Sequence, residues 1–300
     1  MDFRYKKMIE AGLKVAGSNM CDEDKIWSRY SQDKVDIGEG LARVVRVLNK
    51  ALSLSVKMRA LSIGSSDEPQ FRILETFFQG GLYLFDIDKE ALDNVRERIR
   101  RQHTGHVQTI RGDYTAVFLN HDKTQVFLKD RLESGKVNLA TFHHSLYYCQ
   151  KEAWAQIFER IYTQIIASVG AIHAVLMSSH SDDEGTTTWL YNYFAGKFCG
   201  CRNDQDLGRF KRELSRGRIY KDTRLFLRTN RIHFYVHDFT KFMAVIWMIL
   251  LYPAVHRYTL KQREEITEFI YRRFWMKKKP LIQMQDHLVL YKGIKFRGSI

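Results

Sequence analysis

Proline is nearly absent from this chain, with three residues in 300. No Pro-, Ser- or Gly-rich linker divides it and no internal repeat or low-complexity tract recurs, so one large domain or a core with a lid is expected. Cysteine is scarce as well, at Cys21, Cys149, Cys199 and Cys201. These are too few and too scattered for a disulfide scaffold, and Cys199-Gly200-Cys201 lacks the paired CxxC of a zinc site. Reduced thiols, no bound metal and a cytoplasmic setting are the corresponding expectations. The conspicuous apolar run, Phe242 to Tyr252, falls well short of the ~20 residues that span a bilayer. It is expected to be a buried helix, with a homodimer contact or a membrane-surface contact as the alternative. The opening MDFRYKKMIE reads as an amphipathic helix, not a secretion signal.

What is present is apolar bulk and positive charge. The chain is 45% hydrophobic, enough for a substantial core, and its formal net charge is +14. The basic clusters Arg96–Arg101, Arg209–Arg218, Arg272–Lys279 and Lys292–Arg297 are dispersed, and acids interrupt most of them. A solvated basic surface is expected, with attraction to nucleic acid or to an anionic membrane as the alternative.

The most informative stretch is Arg59 to Asp88, RALSIGSSDEPQFRILETFFQGGLYLFDID. A short apolar run, Arg59 to Ile63, stops at Gly64-Ser65-Ser66, as a strand buried in a parallel sheet does. Asp67, Glu68 and Pro69 open a helix whose apolar positions are Phe71, Leu74, Phe77 and Phe78, and Gly80-Gly81 closes it. Leu82 to Ile87 is a second strand containing Asp86 and leading into Asp88. Strand, small-residue turn, helix and strand with a terminal acid make the nucleotide-binding half of a doubly wound α/β fold. Small residues at Gly64, Ser65 and Ser66 admit a ligand close to the backbone, and Asp86 can accept hydrogen bonds from a ribose. The fingerprint GxGxxG is absent, and Asp67 and Glu68 are the wrong sign beside a pyrophosphate. A ribose-bearing, cationic ligand without phosphate fits better.

This stretch resembles the cofactor site of the class I S-adenosylmethionine-dependent methyltransferases, with GSS in place of the usual glycine-rich turn. The resemblance implies a seven-stranded Rossmann-like methyltransferase sheet, an N-terminal helical lid over residues 1–55, a cofactor-binding core over 56–195, and a substrate-wall insertion with a closing hairpin over 196–300, whose strands Pro280 to Met284 and His287 to Tyr291 are separated by a turn at Gln285-Asp286. It implies S-adenosylmethionine as cofactor, with Gly64, Ser65, Ser66 and Glu68 at the methionine end and Asp86 and Asp88 at the ribose. The third strand, Val107 to Arg111, ends at Gly112-Asp113-Tyr114. There the resemblance assigns Asp113 to the adenine amino group and Tyr114 to the side of the ring. Tyr30, in IWSRYSQ, is a candidate to close the pocket, while Trp27 beside it is expected to be packing.

The fourth strand, Val137 to Phe142, runs into His143-His144-Ser145-Leu146-Tyr147-Tyr148. A similar strand, polar residue and Leu-Tyr-Tyr string faces the substrate in small-molecule methyltransferases, where Phe142 would line the cofactor. An imidazole there can take a proton from the acceptor. His144 is the preferred base, His143 the second candidate and Tyr147 a helper, with one of the two histidines facing the cleft because consecutive side chains diverge. Glu152 to Val169 is expected to be a helix stopped by Gly170, followed by a fifth strand, Ala171 to Met177. The order through Trp189, Tyr191 and Tyr193 resembles histamine N-methyltransferase-like small-molecule enzymes, in which Tyr147, Trp189 and Tyr193 would hold a cationic amine. The expectation is an enzyme that methylates a nitrogen or oxygen of a small molecule. An RNA or protein acceptor, or a non-catalytic binding protein of the same fold, are the competing expectations.

Overall fold

The computed structural model describes residues 3–16, 20–64, 70–251 and 257–295. Three helices come first: α1 (Phe3–Lys14), α2 (Met20–Tyr30) and α3 (Asp33–Ala51). The alternating part follows as β1 (Arg59–Ile63), α4 (Phe71–Phe77), β2 (Gly81–Asp86), α5 (Lys89–Gln102), β3 (Val107–Arg111), α6 (Tyr114–Phe118), α7 (His121–Arg131), β4 (Val137–His143), α8 (Lys151–Arg160) and β5 (Ile166–Met177). The remainder is α9 (Thr187–Cys199), α10 (Leu207–Arg216), β6 (Arg224–Phe234), α11 (Phe239–Leu251), α12 (Leu260–Ile270) and β7 (Leu281–Lys292).

The seven strands form one sheet in the order β3-β2-β1-β4-β5-β7-β6. The pairs β1–β2, β2–β3, β1–β4 and β4–β5 are parallel. Chain order therefore reverses between β1 and β4, the switch point at which a doubly wound sheet opens a crevice beyond its strand carboxyl ends. β1 and β4 are buried almost throughout, as a sheet covered on both faces requires.

Two compact units share the chain. A helical unit comprises the chain up to Asp36, Met177–Asp206 and Thr229–Gln285; a sheet unit comprises Ile37–Leu176, Leu207–Arg228 and the chain from Asp286. In the sheet unit, side chains alternate between two apolar layers. Leu61, Phe85, Phe142 and Leu176 join Phe158 and Phe210 on one face, while Leu82, Leu84 and Leu139 join Leu41, Leu74 and Phe78 on the other. In the helical unit, Trp247 is buried in α11 and its indole N–H donates to the Gly12 carbonyl at 2.9 Å. The apolar run at 242 is accordingly a core element of that unit; its last residue, Tyr252, lies outside the described residues.

Three expectations are corrected. The helix beginning near Glu152 ends in a π-turn, Ile161–Ile165, and β5 starts at Ile166, so Gly170 is a strand residue and no helix stop. A Cβ on Gly170 would approach the Asn138 carbonyl oxygen to 2.9 Å, so close strand approach, not chain reversal, selects glycine there. The closing hairpin is one continuous strand, β7; Gln285-Asp286, taken as a turn, is buried within it. Gln285 is satisfied by accepting from Gln283 and donating to Asp36, each at 2.8 Å. Phe77 is exposed, because α4 buries Phe71 and Leu74 and hands the inner position one turn on to Phe78.

Trp154 on α8 anchors the larger layer: its indole N–H reaches the Cys149 carbonyl at 3.2 Å and its ring meets Phe210 edge-on at 5.4 Å. Trp154→Ala is expected to cost about 3–5 kcal/mol of stability in chemical denaturation. A loss below about 1 kcal/mol would mean that this layer does not hold the sheet unit together.

Candidate active site

Four strand ends converge at the carboxyl edge of the sheet unit. β1 ends at Gly64, whose backbone sits at φ +67° and whose N–H donates to the Phe85 carbonyl at 2.8 Å. This left-handed conformation costs an L side chain roughly 1–2 kcal/mol. A Cβ at Gly64 would also stand 2.4 Å from the Cβ of Ser145, so the turn after β1 lies directly on the turn after β4. β2 ends at Asp86 and pairs with β3 in register, Asp86 opposite Arg111. The Gly112 N–H donates to the Asp86 carbonyl at 2.8 Å, and the Tyr114 hydroxyl donates to the Ser145 carbonyl at 2.9 Å. Gly64, Asp86, Asp113 and the His144-Ser145 turn thus belong to one edge, tied by two backbone hydrogen bonds, the Tyr114 hydroxyl and the close approach of Gly64 to Ser145.

Each acid has a defined local role. The Asp86 carboxylate accepts from the Asp88 N–H at 2.8 Å, which fixes its orientation. Asp88 is the N-cap of α5, accepting from Glu90 N at 2.8 Å and Ala91 N at 3.2 Å. Asp88 therefore serves α5 as its cap, while the Asp86 carboxylate stands at the end of β2 itself. Asp113 caps α6 and is exposed, accepting from Thr115 N at 2.8 Å and Thr115 Oγ1 at 2.6 Å. Behind this edge Tyr114 and Phe142 are buried, their rings 5.8 Å apart and edge to face, and Phe142 stacks on Phe158 at 5.3 Å. Both are floor rather than open wall. Burial pushes the Tyr114 phenol far above its ordinary range, with the neighbouring Cys149 and Asp113 adding to it. The Cys149 thiol is pushed up to about 11, first by burial and then by Asp113, which favours its protonated form.

The histidine pair divides between two environments. His143 is the last residue of β4, buried, with Nε2 3.2 Å from His173 Nδ1. His144 is half-buried at φ +56°, its N–H held by the Val175 carbonyl at 2.9 Å and its ring stacked on Tyr147 at 5.9 Å and 8°. A non-glycine residue in left-handed backbone at a strand end is a recurrent feature of functional sites.

Sequence reasoning missed what lies behind His143. His173 on β5 is fully buried, and its Nε2 is 3.1 Å from His287 Nδ1 on β7, so three imidazoles form a chain across the sheet. Beside it, Thr141 donates to Ser62 at 3.1 Å. Gly40 of α3 covers the chain: a Cβ there would stand 2.7 Å from His287 Nδ1 and 3.3 Å from His173 Cε1. The available signal was His173 itself, a lone polar residue in the apolar strand Ala171 to Met177, which could stay buried only with a partner. Ser145 was missed too. Its Oγ is buried without a hydrogen-bond partner among the described residues, beside the glycine turn.

The other candidates fall elsewhere. Ser65, Ser66 and Glu68 lie outside the described residues. In the helical unit, Tyr30 is half-buried with Lys241 Nζ 5.9 Å from its ring centroid, and Trp27 is buried and stacked on Phe234 at 5.5 Å. Trp189 and Tyr193 stack on each other at 4.7 Å and 9°, so the faces they share leave no gap for a cation between them. Among the described residues no His, Cys, Asp or Glu group could hold a metal ion.

The YcgJ protein of Bacillus subtilis superposes with a TM-score of 0.51 at 10% identity, over 86% of this chain and 100% of that one. A Bacillus halodurans protein provisionally named a methyltransferase gives 0.51 at 12%, over 85% and 100%. The chain has the class I methyltransferase fold. No family model matches the sequence, nor does any curated protein. Gly64, Asp86, Asp113 and Ser145 lie at the carboxyl edge, the edge beyond which doubly wound sheets in general bind their ligands.

Two outcomes follow from the geometry. Gly64→Ala must displace Ser145 as well as strain the turn, and is expected to lower the melting temperature by several degrees; an unchanged melting curve would refute the close approach. Burial first, then His143 and His287, holds the His173 pKa well below 6.5. The unfolded chain then binds a proton that the folded chain refuses, so stability falls as pH drops below about 6.5, by up to about 1.4 kcal/mol per pH unit. His173→Phe should flatten that slope in denaturation at several pH values; an unaltered slope would place its origin elsewhere.

Proposed function

We propose that this chain is an S-adenosylmethionine-dependent methyltransferase acting on a nitrogen or oxygen of a small molecule. The observation that carries the reading is the meeting of Gly64, Asp86, Asp113 and Ser145 at adjacent strand ends beside the switch point. The residues suit the cofactor. The Ser145 hydroxyl beside Gly64 is a buried polar atom awaiting a partner, and two carboxylates on neighbouring strands match the two ends of an adenosine. When bound, S-adenosylmethionine supplies an electrophilic methyl group on a sulfonium centre.

The chain's own residues do the rest. Asp86 accepts from the ribose hydroxyls and Asp113 from the adenine amino group, with Tyr114 and Phe142 as the apolar floor. Gly64 and Ser145 border the methionine end. His144, the half-buried member of the pair, orients the acceptor and takes its proton, while the stacked Tyr147 ring fixes the imidazole plane. In-line transfer needs positioning above all, which a strained and backbone-anchored residue provides. The described cysteines are free, in keeping with a cytoplasmic setting.

Calorimetry with S-adenosylmethionine tests the reading. Wild type is expected to bind, Asp86→Ala to bind roughly ten- to a hundredfold more weakly, and His144→Ala to bind as wild type does. Absence of binding by wild type, or equal binding by Asp86→Ala, would overturn the assignment.

A further inference from the structure

The basic cluster Arg272–Lys279 takes no part in the site above, and the fold joins it to a second basic segment. Within the helical unit, the Tyr5 ring of α1 meets Tyr271 edge-on with centroids 5.4 Å apart, and Arg272 Nη2 donates to the Tyr5 hydroxyl at 3.2 Å. α1 turns Tyr5, Met8, Ile9 and Gly12 inward at helical spacing. Its outward face therefore carries Phe3 together with Lys6 and Lys7, one turn further on. Phe3 is 81% exposed. Past α12, the π-turn Tyr271–Trp275 leads to Met276, 65% exposed, and directly on to exposed Lys277, Lys278 and Lys279.

The lysine charges on both segments are open. Lys6, Lys7 and the three lysines after Met276 form no ion pair among the described residues. The cluster at Arg96–Arg101 contrasts with it, since Asp93 and Glu97 neutralise Arg96, Arg100 and Arg101. Unneutralised lysines around large apolar side chains that project into water match the interface of an anionic bilayer. The ammonium groups meet headgroup charge, and the apolar tips enter the acyl boundary. A nucleic acid would use the lysines but leave Met276 without a role, because a flexible thioether offers no face for base stacking.

We propose that the outward face of α1 and the Met276–Lys279 projection together dock this protein peripherally on an anionic membrane. The proposal stands independently of the methyltransferase reading. Co-sedimentation of the full chain with phosphatidylcholine vesicles, with and without phosphatidylglycerol, tests it. Binding is expected only to the anionic vesicles and should weaken as salt is raised. Reversing three charges in Lys277→Glu/Lys278→Glu/Lys279→Glu should weaken it by at least about a hundredfold, at about fivefold per lost lysine. Phe3→Ser/Met276→Ser should weaken it at least about tenfold while leaving any binding to a poly(U) RNA probe unchanged. All five side chains are exposed, so these variants retain the fold. The proposal is overturned by a lack of binding to anionic vesicles, by equal binding to neutral ones, or by wild-type affinity in the double serine variant. Preferential binding to the RNA probe, insensitive to Phe3 and Met276, would overturn it in favour of a general polyanion surface.

Discussion

The close approach of Gly64 to Ser145 is the constraint on which the candidate site depends. It brings Gly64, just after β1, onto Ser145, just after β4, at the switch between β1 and β4. From there the contacts run in a ring: Gly64 to Phe85, Asp86 to Gly112, and Tyr114 back to Ser145. Each link joins the carboxyl ends of two strands, so no one of these turns can shift without moving the next. Two carboxylates and a buried hydroxyl are thereby held on rigid elements, as a site that works by positioning requires.

The face of the sheet beneath α3 carries an opposing demand. Ser62, Thr141, His143, His173 and His287 are polar groups in a buried layer, tolerable only because each is paired. Gly40 permits α3 to lie on the imidazoles, where any larger residue would meet His287. Such a network constrains register more tightly than apolar packing does, since a one-residue slip would leave every member unpaired. It also links His143 to the sheet interior and leaves His144 the more exposed of the two. The strained backbone at His144 follows from that division, since the chain must turn sharply where β4 ends.

Much of this was legible in the sequence because it rests on local signals. The β1 turn, the acid at the end of β2 and the acid after β3 are each marked by small or polar residues abutting apolar runs. Val107–Arg111 coincides with β3 for that reason. What was not legible depended on partners distant in the chain. The β5 boundary was misjudged because Ile165, Ile166 and Val169 suit helix and strand alike, and only pairing with β4 decides between them. The hairpin expected at Gln285-Asp286 failed because buried glutamine reads as a turn until Asp36 is known to receive it. The histidine chain has members 30 and 114 residues apart, and no local pattern can announce such a contact.

Backbone amide chemical-shift mapping with S-adenosylhomocysteine measures directly whether the carboxyl edge around Gly64 holds an adenosine-bearing ligand. The largest perturbations are expected on Gly64, Ile87, Gly112, Asp113 and Ser145, while β6 and the amino ends of the strands stay unmoved. Saturating ligand with no perturbation at those amides, or with its effects centred elsewhere, would contradict that placement.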